Sequence, residues 1–205
     1  MRKAVFLDRD GVINSYVYNA DFGLVDSPSS PDQFELLTDV GEAVATLNRL
    51  GLTVVVISNQ PGIAKGKFTP ELLERITSKM HEGIAGSGGK LDAVYYCLHH
   101  PESKLPAYKI QCECRKPRPG LLLQAARELQ IDLNSAYMIG DGITDVQAGV
   151  SAGTKTIYIG QRKEYVMDAF GRHGVGPDYI VRDLSAAVAV IEKQLTEEQT
   201  LSRSH

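Results

Sequence analysis

The 205-residue chain has no tryptophan, three cysteines, and no apolar run as long as eighteen residues. The last absence excludes a transmembrane helix, which needs about 20 consecutive apolar residues. Arg2 and Lys3 are followed by only a short apolar stretch, Ala4 to Leu7, before Asp8, so the amino terminus does not read as a signal peptide. Three cysteines cannot all pair, and Cys112 and Cys114 are too close in sequence to bridge comfortably. A disulfide framework is therefore not expected, and a reducing cytoplasm fits. Charge of either sign is scarce in excess: 22 basic residues against 25 acidic ones leave a formal net charge of -3. Neither nucleic acid nor a membrane surface is expected as a partner. There is no internal repeat and no low-complexity block. The length suits a single domain over 1–195 with a substantial core, followed by a polar tail over 196–205 that is expected to be disordered.

What is present is an alternation of buried strands and amphipathic helices. Ala4-Val5-Phe6-Leu7 is an apolar run of strand length. Residues 12–37 have no clear periodicity and read as a long loop suited to a lid or to substrate contact. Asp39 with Glu42 reads as a capping box, opening a helix whose stripe is Val40, Val44 and Leu47 and whose stop is Gly51. The β-branched run Leu52 to Ile57 lacks polar alternation, as in a central parallel strand covered on both faces. Thr69-Pro70 caps the next helix. Strands at 93–96, 136–139, 156–160 and 178–181 follow, with helices from Pro119-Gly120, from about Thr144, and around Leu184 to Leu195. Residues 161–176 read as a surface connection. The pattern predicts an α/β fold, a doubly wound parallel sheet with right-handed crossovers.

Polar groups gather where the strands end, the edge at which open α/β sheets place their ligands. Asp8 and Asp10 leave the first strand two residues apart, so they point in similar directions and repel unless a cation lies between them. Mg²⁺ suits such a pair and keeps company with phosphate. Ser58 and Asn59 end the second buried strand. Arg115-Lys116-Pro117-Arg118 is a compact basic cluster. Asp141 follows Gly140 at another strand end, and Asp145, four residues on, shares a helix face with it if the helix begins that early. Each has a bland reading as a turn, a solvated charge or a helix cap, but four together at one edge require a common explanation.

A separate group lies in the aperiodic stretch before Lys116. Cys97-Leu98-His99 and Cys112-Glu113-Cys114 form two tight pairs and use every cysteine. Zinc favours Cys₃His tetrahedra in closed structural sites. Such a metal would give the segment 97–114 the core it lacks and would fix the neighbouring cations. His100 stands beside His99 as the alternative ligand.

Asp8 to Gly11, Ser58, Lys116 and Gly140 to Asp145, in that order, resemble the four motifs of the haloacid dehalogenase-like superfamily of phosphohydrolases. The resemblance covers residues 1 to about 195 and implies a Rossmann-like sheet without a large cap domain. It further implies that Asp8 is the nucleophile and Asp10 the general acid and base. Mg²⁺ would be held by Asp8, the backbone carbonyl of Asp10, and Asp141. Ser58 and Lys116 would bind the phosphoryl group, and Asp145 would support Lys116 or a metal-bound water. With the zinc loop, the stretches Asp8 to Asn14, Asn59 to Gly66 and Cys112 to Pro117 resemble the D-glycero-D-manno-heptose 1,7-bisphosphate 7-phosphatases and the related histidinol-phosphatases. That resemblance implies a small sugar bisphosphate as substrate, with Asn59, Gln60 and Arg115 as its contacts; a monomer in the cytoplasm is the expectation set beside it. Two departures stand out: the segment after Asn14 is longer than usual, and Gly142 occupies a position where a basic residue often follows the motif aspartate. Histidinol phosphate is the nearest alternative substrate, and a phospho-accepting receiver domain the alternative from another class.

Overall fold

The structure, a computed structural model, describes residues 1–20 and 23–203. Its centre is a six-stranded, fully parallel sheet in the order β5-β4-β1-β6-β7-β8. In chain order the strands are β1 (Arg2–Leu7), β4 (Thr53–Asn59), β5 (Ala93–Cys97), β6 (Ile131–Gly140), β7 (Lys155–Ile159) and β8 (Tyr179–Val181). Between β1 and β4 lies a small antiparallel hairpin, β2 (Val17–Asn19) and β3 (Leu24–Asp26). The helices are α1 (Val40–Arg49), α2 (Pro70–Gly86), α3 (Gly120–Leu129), α4 (Ile143–Ala152), α5 (Glu164–Arg172) and α6 (Leu184–Arg203).

The alternation of side chains along β1 divides the core in two. Val5 and Leu7 face a layer containing Val44 and Leu47 of α1, Ile76, Met80 and Ile84 of α2, and Val188 and Ile191 of α6. Ala4 and Phe6 face Leu121, Leu122 and Ala125 of α3 and Ala148 of α4. A strand buried on both faces must be apolar throughout, which is why β1 and β4 read as continuous runs. β1 and β6 pair through Leu7 and Ile139, so the chain leaves both strands at one level of the sheet.

The Thr69 cap is as expected: its hydroxyl accepts from the Leu72 amide at 3.4 Å, with Pro70 opening α2. Other local expectations fail. Asp39 precedes α1 in a left-handed conformation, φ 62°, and its side chain caps nothing. Residues 161–176 contain α5, whose one buried residue, Phe170, meets Tyr158 edge-to-face at 5.2 Å. The segment 196–203, expected to be disordered, continues α6. Glu198 explains part of this, since it accepts from Lys3 at 2.6 Å and Lys155 at 3.4 Å and ties the last turns to the sheet. Asp21, Phe22, Ser204 and His205 lie outside the described residues, as do parts of the loop and tail expectations that fall on them. Among the described residues, no helix is long and apolar enough to cross a membrane.

Candidate active site

The amide of Asp8 continues the sheet ladder, donating to the Ile139 carbonyl at 2.9 Å, so its carboxylate is fixed at the carboxyl edge of β1. The chain then turns sharply: the amides of Ile13 and Asn14 both bond the Arg9 carbonyl, and Gly11 takes φ 83°. That glycine matters sterically. A methyl group there would lie 2.6 Å from Cγ of Asp141 and 2.8 Å from the Tyr16 ring. Only a residue without Cβ lets Asp141 stand so close to the Asp8 turn.

Asp141 sits between the end of β6 and Gly142, the residue that caps α4. The helix thus begins at Ile143, and the expectation that Asp141 and Asp145 share a helix face fails. The two acids meet by another route. Asp145 turns back to accept from the Gly142 amide at 2.9 Å, and its carboxylate lies with those of Asp8 and Asp141 in a group of donors within 4.8 Å of one another. Three acids this close are mutually repulsive. Burial and then the Asp8 charge push Asp141 up to about 6, and burial pushes Asp145 up to about 7 against the pull of Lys116. A divalent cation between Asp8 and Asp141 would remove that conflict, so the donor set fits Mg²⁺, a hard ion bound by few carboxylates.

Lys116 is buried between two of these acids, its ammonium 2.9 Å from Asp8 and 2.5 Å from Asp145, and it also donates to the Ile57 carbonyl at 2.9 Å. Burial acts to lower its pKa, but the attraction of Asp145 and Asp8 wins and holds it well above the usual lysine range. Its placement depends on β4. The Asn59 side chain accepts from the Lys116 amide and donates to the Lys116 carbonyl, both at 3.0 Å. Asn59, expected to contact substrate, is therefore engaged with the backbone of the cation.

Asp10 points into a different network. The residue is 5% exposed, and its carboxylate accepts from Arg9 Nε and Nη2, Asn14 Nδ2, Ser27 Oγ and Gln60 Nε2 at 2.6–3.2 Å. Gln60 also donates to Ser58 Oγ at 3.2 Å and accepts from Arg9 at 2.9 Å. Gln60 was expected at the substrate, but it is 1% exposed and spans the acid and the hydroxyl. Ser58 is likewise buried. Arg115, by contrast, lines a cavity of about 260 Å³ together with Pro101, Ile110, Gln111, Cys112 and Arg118. It donates to the His99 carbonyl at 3.3 Å.

The four soft donors of the zinc reading converge. Cys97, Cys112 and Cys114 have Sγ atoms 3.1–3.6 Å apart, and His99 Nδ1 is 3.2 Å from Cys114 and 3.9 Å from Cys97. The S–S separations are somewhat shorter than the ~3.8 Å edges of a tetrahedron with ~2.3 Å Zn–S bonds, so the four donors need only a small outward shift to hold one Zn²⁺. His100 instead accepts from the Glu102 amide with its own Nδ1. Of the two histidines, His99 is the one that lies with the three thiols.

Three residues escaped the sequence reading. Arg9 stands between two motif acids and shows no periodic signal of its own. Tyr16 donates to Asp141 at 2.9 Å, and Ser27 donates to Asp10 at 2.9 Å, from the two ends of the hairpin segment. The lack of helical or strand periodicity in 12–37 was the one available hint.

A doubly wound parallel sheet whose carboxyl edge carries Asp8, Asp10, Lys116 and Asp141 defines a phosphatase of the haloacid dehalogenase type. The HAD-hydrolase-like family profile matches residues 113–187. The D-glycero-β-D-manno-heptose-1,7-bisphosphate 7-phosphatase of Photorhabdus laumondii is 44% identical over 156 residues, covering 75% of this chain and 79% of the relative. The protein of that name from Salmonella typhi is 37% identical over 193 residues, covering 93% and 96%. Among solved structures, the D,D-heptose 1,7-bisphosphate phosphatase of B. bronchiseptica, complexed with magnesium and phosphate, superposes with a TM-score of 0.74 at 32% identity, covering 96% of this chain and 99% of that one. The chain belongs to the heptose-1,7-bisphosphate 7-phosphatase family of haloacid dehalogenase-like phosphatases.

Proposed function

We propose that the protein removes the 7-phosphate of D-glycero-D-manno-heptose 1,7-bisphosphate through an aspartyl-phosphate intermediate. The observation that carries this reading is the convergence of partly buried Asp8 and Asp141 with buried Asp145 and Lys116, the last of which also lines a cavity with Arg115. The names of the relatives supply the sugar.

In the first half-reaction an Asp8 oxygen forms a bond to phosphorus as the bond to the sugar oxygen breaks, and Asp10 gives its proton to the departing oxygen. In the second, water attacks phosphorus while Asp10 takes its proton. The Asp8–phosphorus bond breaks, releasing phosphate and restoring both carboxyl groups. Lys116 supplies a fixed positive charge and Ser58 a hydroxyl donor, each aimed at charge that builds on the phosphoryl oxygens. When bound by Asp8, Asp141 and the Asp10 carbonyl, Mg²⁺ supplies further positive charge that offsets repulsion between carboxylate and phosphate. Asp145 holds Lys116 in place. Arg115 presents a planar fork suited to the second phosphate of the substrate. Zn²⁺ on Cys97, His99, Cys112 and Cys114 braces the loop that delivers Arg115 and Lys116. The enzyme acts as a cytoplasmic monomer on a small phosphosugar.

Phosphate release measured side by side from heptose 1,7-bisphosphate and histidinol phosphate, with and without Mg²⁺, tests the assignment. Faster turnover of the heptose, dependent on Mg²⁺, is expected. Preference for histidinol phosphate would overturn the substrate, and metal-independent turnover would overturn the Mg²⁺ assignment.

A further inference from the structure

We infer that Arg9 is the positioning residue for Asp10, fixing the orientation in which that acid serves the leaving group and the attacking water. The inference rests on the mechanistic reading above.

Arg9 is 0% exposed, the largest of the fully buried side chains. A guanidinium removed entirely from water is costly, and a buried ion pair commonly adds no stability over apolar side chains of the same size. The burial is also incomplete in its compensation. Nη1 has no hydrogen-bond partner among the described residues. Native cores rarely retain an orphaned donor without a reason beyond stability. The other two nitrogens supply the reason. Nε and Nη2 grip Asp10 as a fork, Nε reaching Oδ1 at 3.2 Å while Nη2 reaches Oδ1 at 3.0 Å and Oδ2 at 3.2 Å. Nη2 also donates to Gln60, which in turn bonds Asp10 and Ser58. The Tyr96 ring lies behind the guanidinium, 5.7 Å from its carbon.

This geometry restrains rotation of the Asp10 carboxyl about two axes, because a planar fork fixes the plane of its partner as well as its distance. A lysine at the same position would keep the charge and lose the plane. Asp10 must present one carboxyl oxygen first to the sugar oxygen and then to water, and each transfer requires the acid within about 2.6–3.2 Å. The residue that sets its plane therefore acts on both half-reactions, without touching substrate.

The test uses Arg9→Lys and Arg9→Met in the intact protein, with heptose 1,7-bisphosphate and p-nitrophenyl phosphate as probes. The p-nitrophenolate group departs without protonation, so its burst from Asp8 attack needs no proton from Asp10, whereas the subsequent hydrolysis needs Asp10 as the base that takes the proton of water. Both variants are expected to retain the p-nitrophenol burst rate within about two-fold. They are expected to lose steady-state turnover of both substrates by roughly ten- to hundred-fold, the lower part of the range for general acid–base catalysis. KM for the heptose should stay near the wild-type value. Equal loss of burst and steady state in a folded variant, or turnover within about two-fold of wild type, overturns the inference. If Arg9→Met does not fold, Arg9→Lys alone decides between these outcomes. Inversion rather than retention of configuration at a chiral phosphorus, in turnover by the wild-type enzyme, would instead overturn the aspartyl-phosphate reading, and with it the inference built on it.

Discussion

Gly11→Ala sets a single methyl group against the approach of Asp141 to the Asp8 turn. Two costs follow. The left-handed backbone, φ 83°, costs an alanine about 1–2 kcal/mol. The methyl would also lie 2.6 Å from Asp141 Cγ, so the carboxylate must swing away and give up its hydrogen bond from Tyr16, a loss of about 0.5–1.5 kcal/mol. Together the variant should lose about 1.5–3.5 kcal/mol, which lowers the midpoint of a chain this size by about 3–14 °C. Displacement of Asp141 should weaken Mg²⁺ binding by at least roughly ten-fold, as metal sites do when the groups holding a ligand are disturbed. Gly51→Ala is the matched control, with φ 76° and no atom within 4 Å of the added methyl. It carries the backbone cost alone. Calorimetric unfolding with Mg²⁺ titration should show both variants destabilised and only Gly11→Ala impaired in metal affinity. Equal Mg²⁺ affinity in the two would refute the argument that Gly11 admits Asp141 as a ligand.

Asp8→Asn should abolish phosphate release while the circular dichroism spectrum stays native; turnover near the wild-type rate would end the nucleophile assignment. Asn59→Ala removes both bonds to the Lys116 backbone, and kcat should fall by about ten-fold or more if each bond contributes about 1 kcal/mol to placing the cation. Unchanged kcat would separate Asn59 from Lys116. Purified enzyme should contain one zinc per chain, and a thiol-competing chelator should lower the melting temperature; active, stable protein without zinc counts against the brace. Glu198→Ala should cost less than about 1 kcal/mol, since its pairs with Lys3 and Lys155 are exposed, and a larger loss in urea unfolding would contradict that accounting.

Residues that are apolar because they are buried on both sides announced themselves in the sequence. β1, β4 and the last residues of β6 are of this kind, and their ends located Asp8, Ser58 and Asp141. The hairpin of β2 and β3 did not, because three-residue strands offer too few positions for alternation and Leu24 and Val25 are exposed. α5 has a single buried residue, so nothing in its pattern separated it from a loop. Asp39 carries a good capping residue in a conformation that prevents capping, a case of tertiary context overriding local preference. Four motif positions could be placed at one edge from strand order alone. Which side chains around them touch each other could not: the resemblance implied Gln60 and Asn59 as substrate contacts, and the structure engages their amides with Asp10 and with Lys116.

The Asn59 amide deals with Lys116 as a neighbouring strand would, offering one donor and one acceptor to the same residue's carbonyl and amide. The sheet is in effect extended by one rung, made from a side chain, and the cation is moored to β4. The stretch between the zinc-site residues His99 and Cys112 then needs no fixed length to deliver Lys116. Its span can be lengthened, shortened or exchanged for another while the charge beside Asp8 keeps its berth. Substrate range can therefore change in this stretch of chain independently of the phosphoryl chemistry next to it.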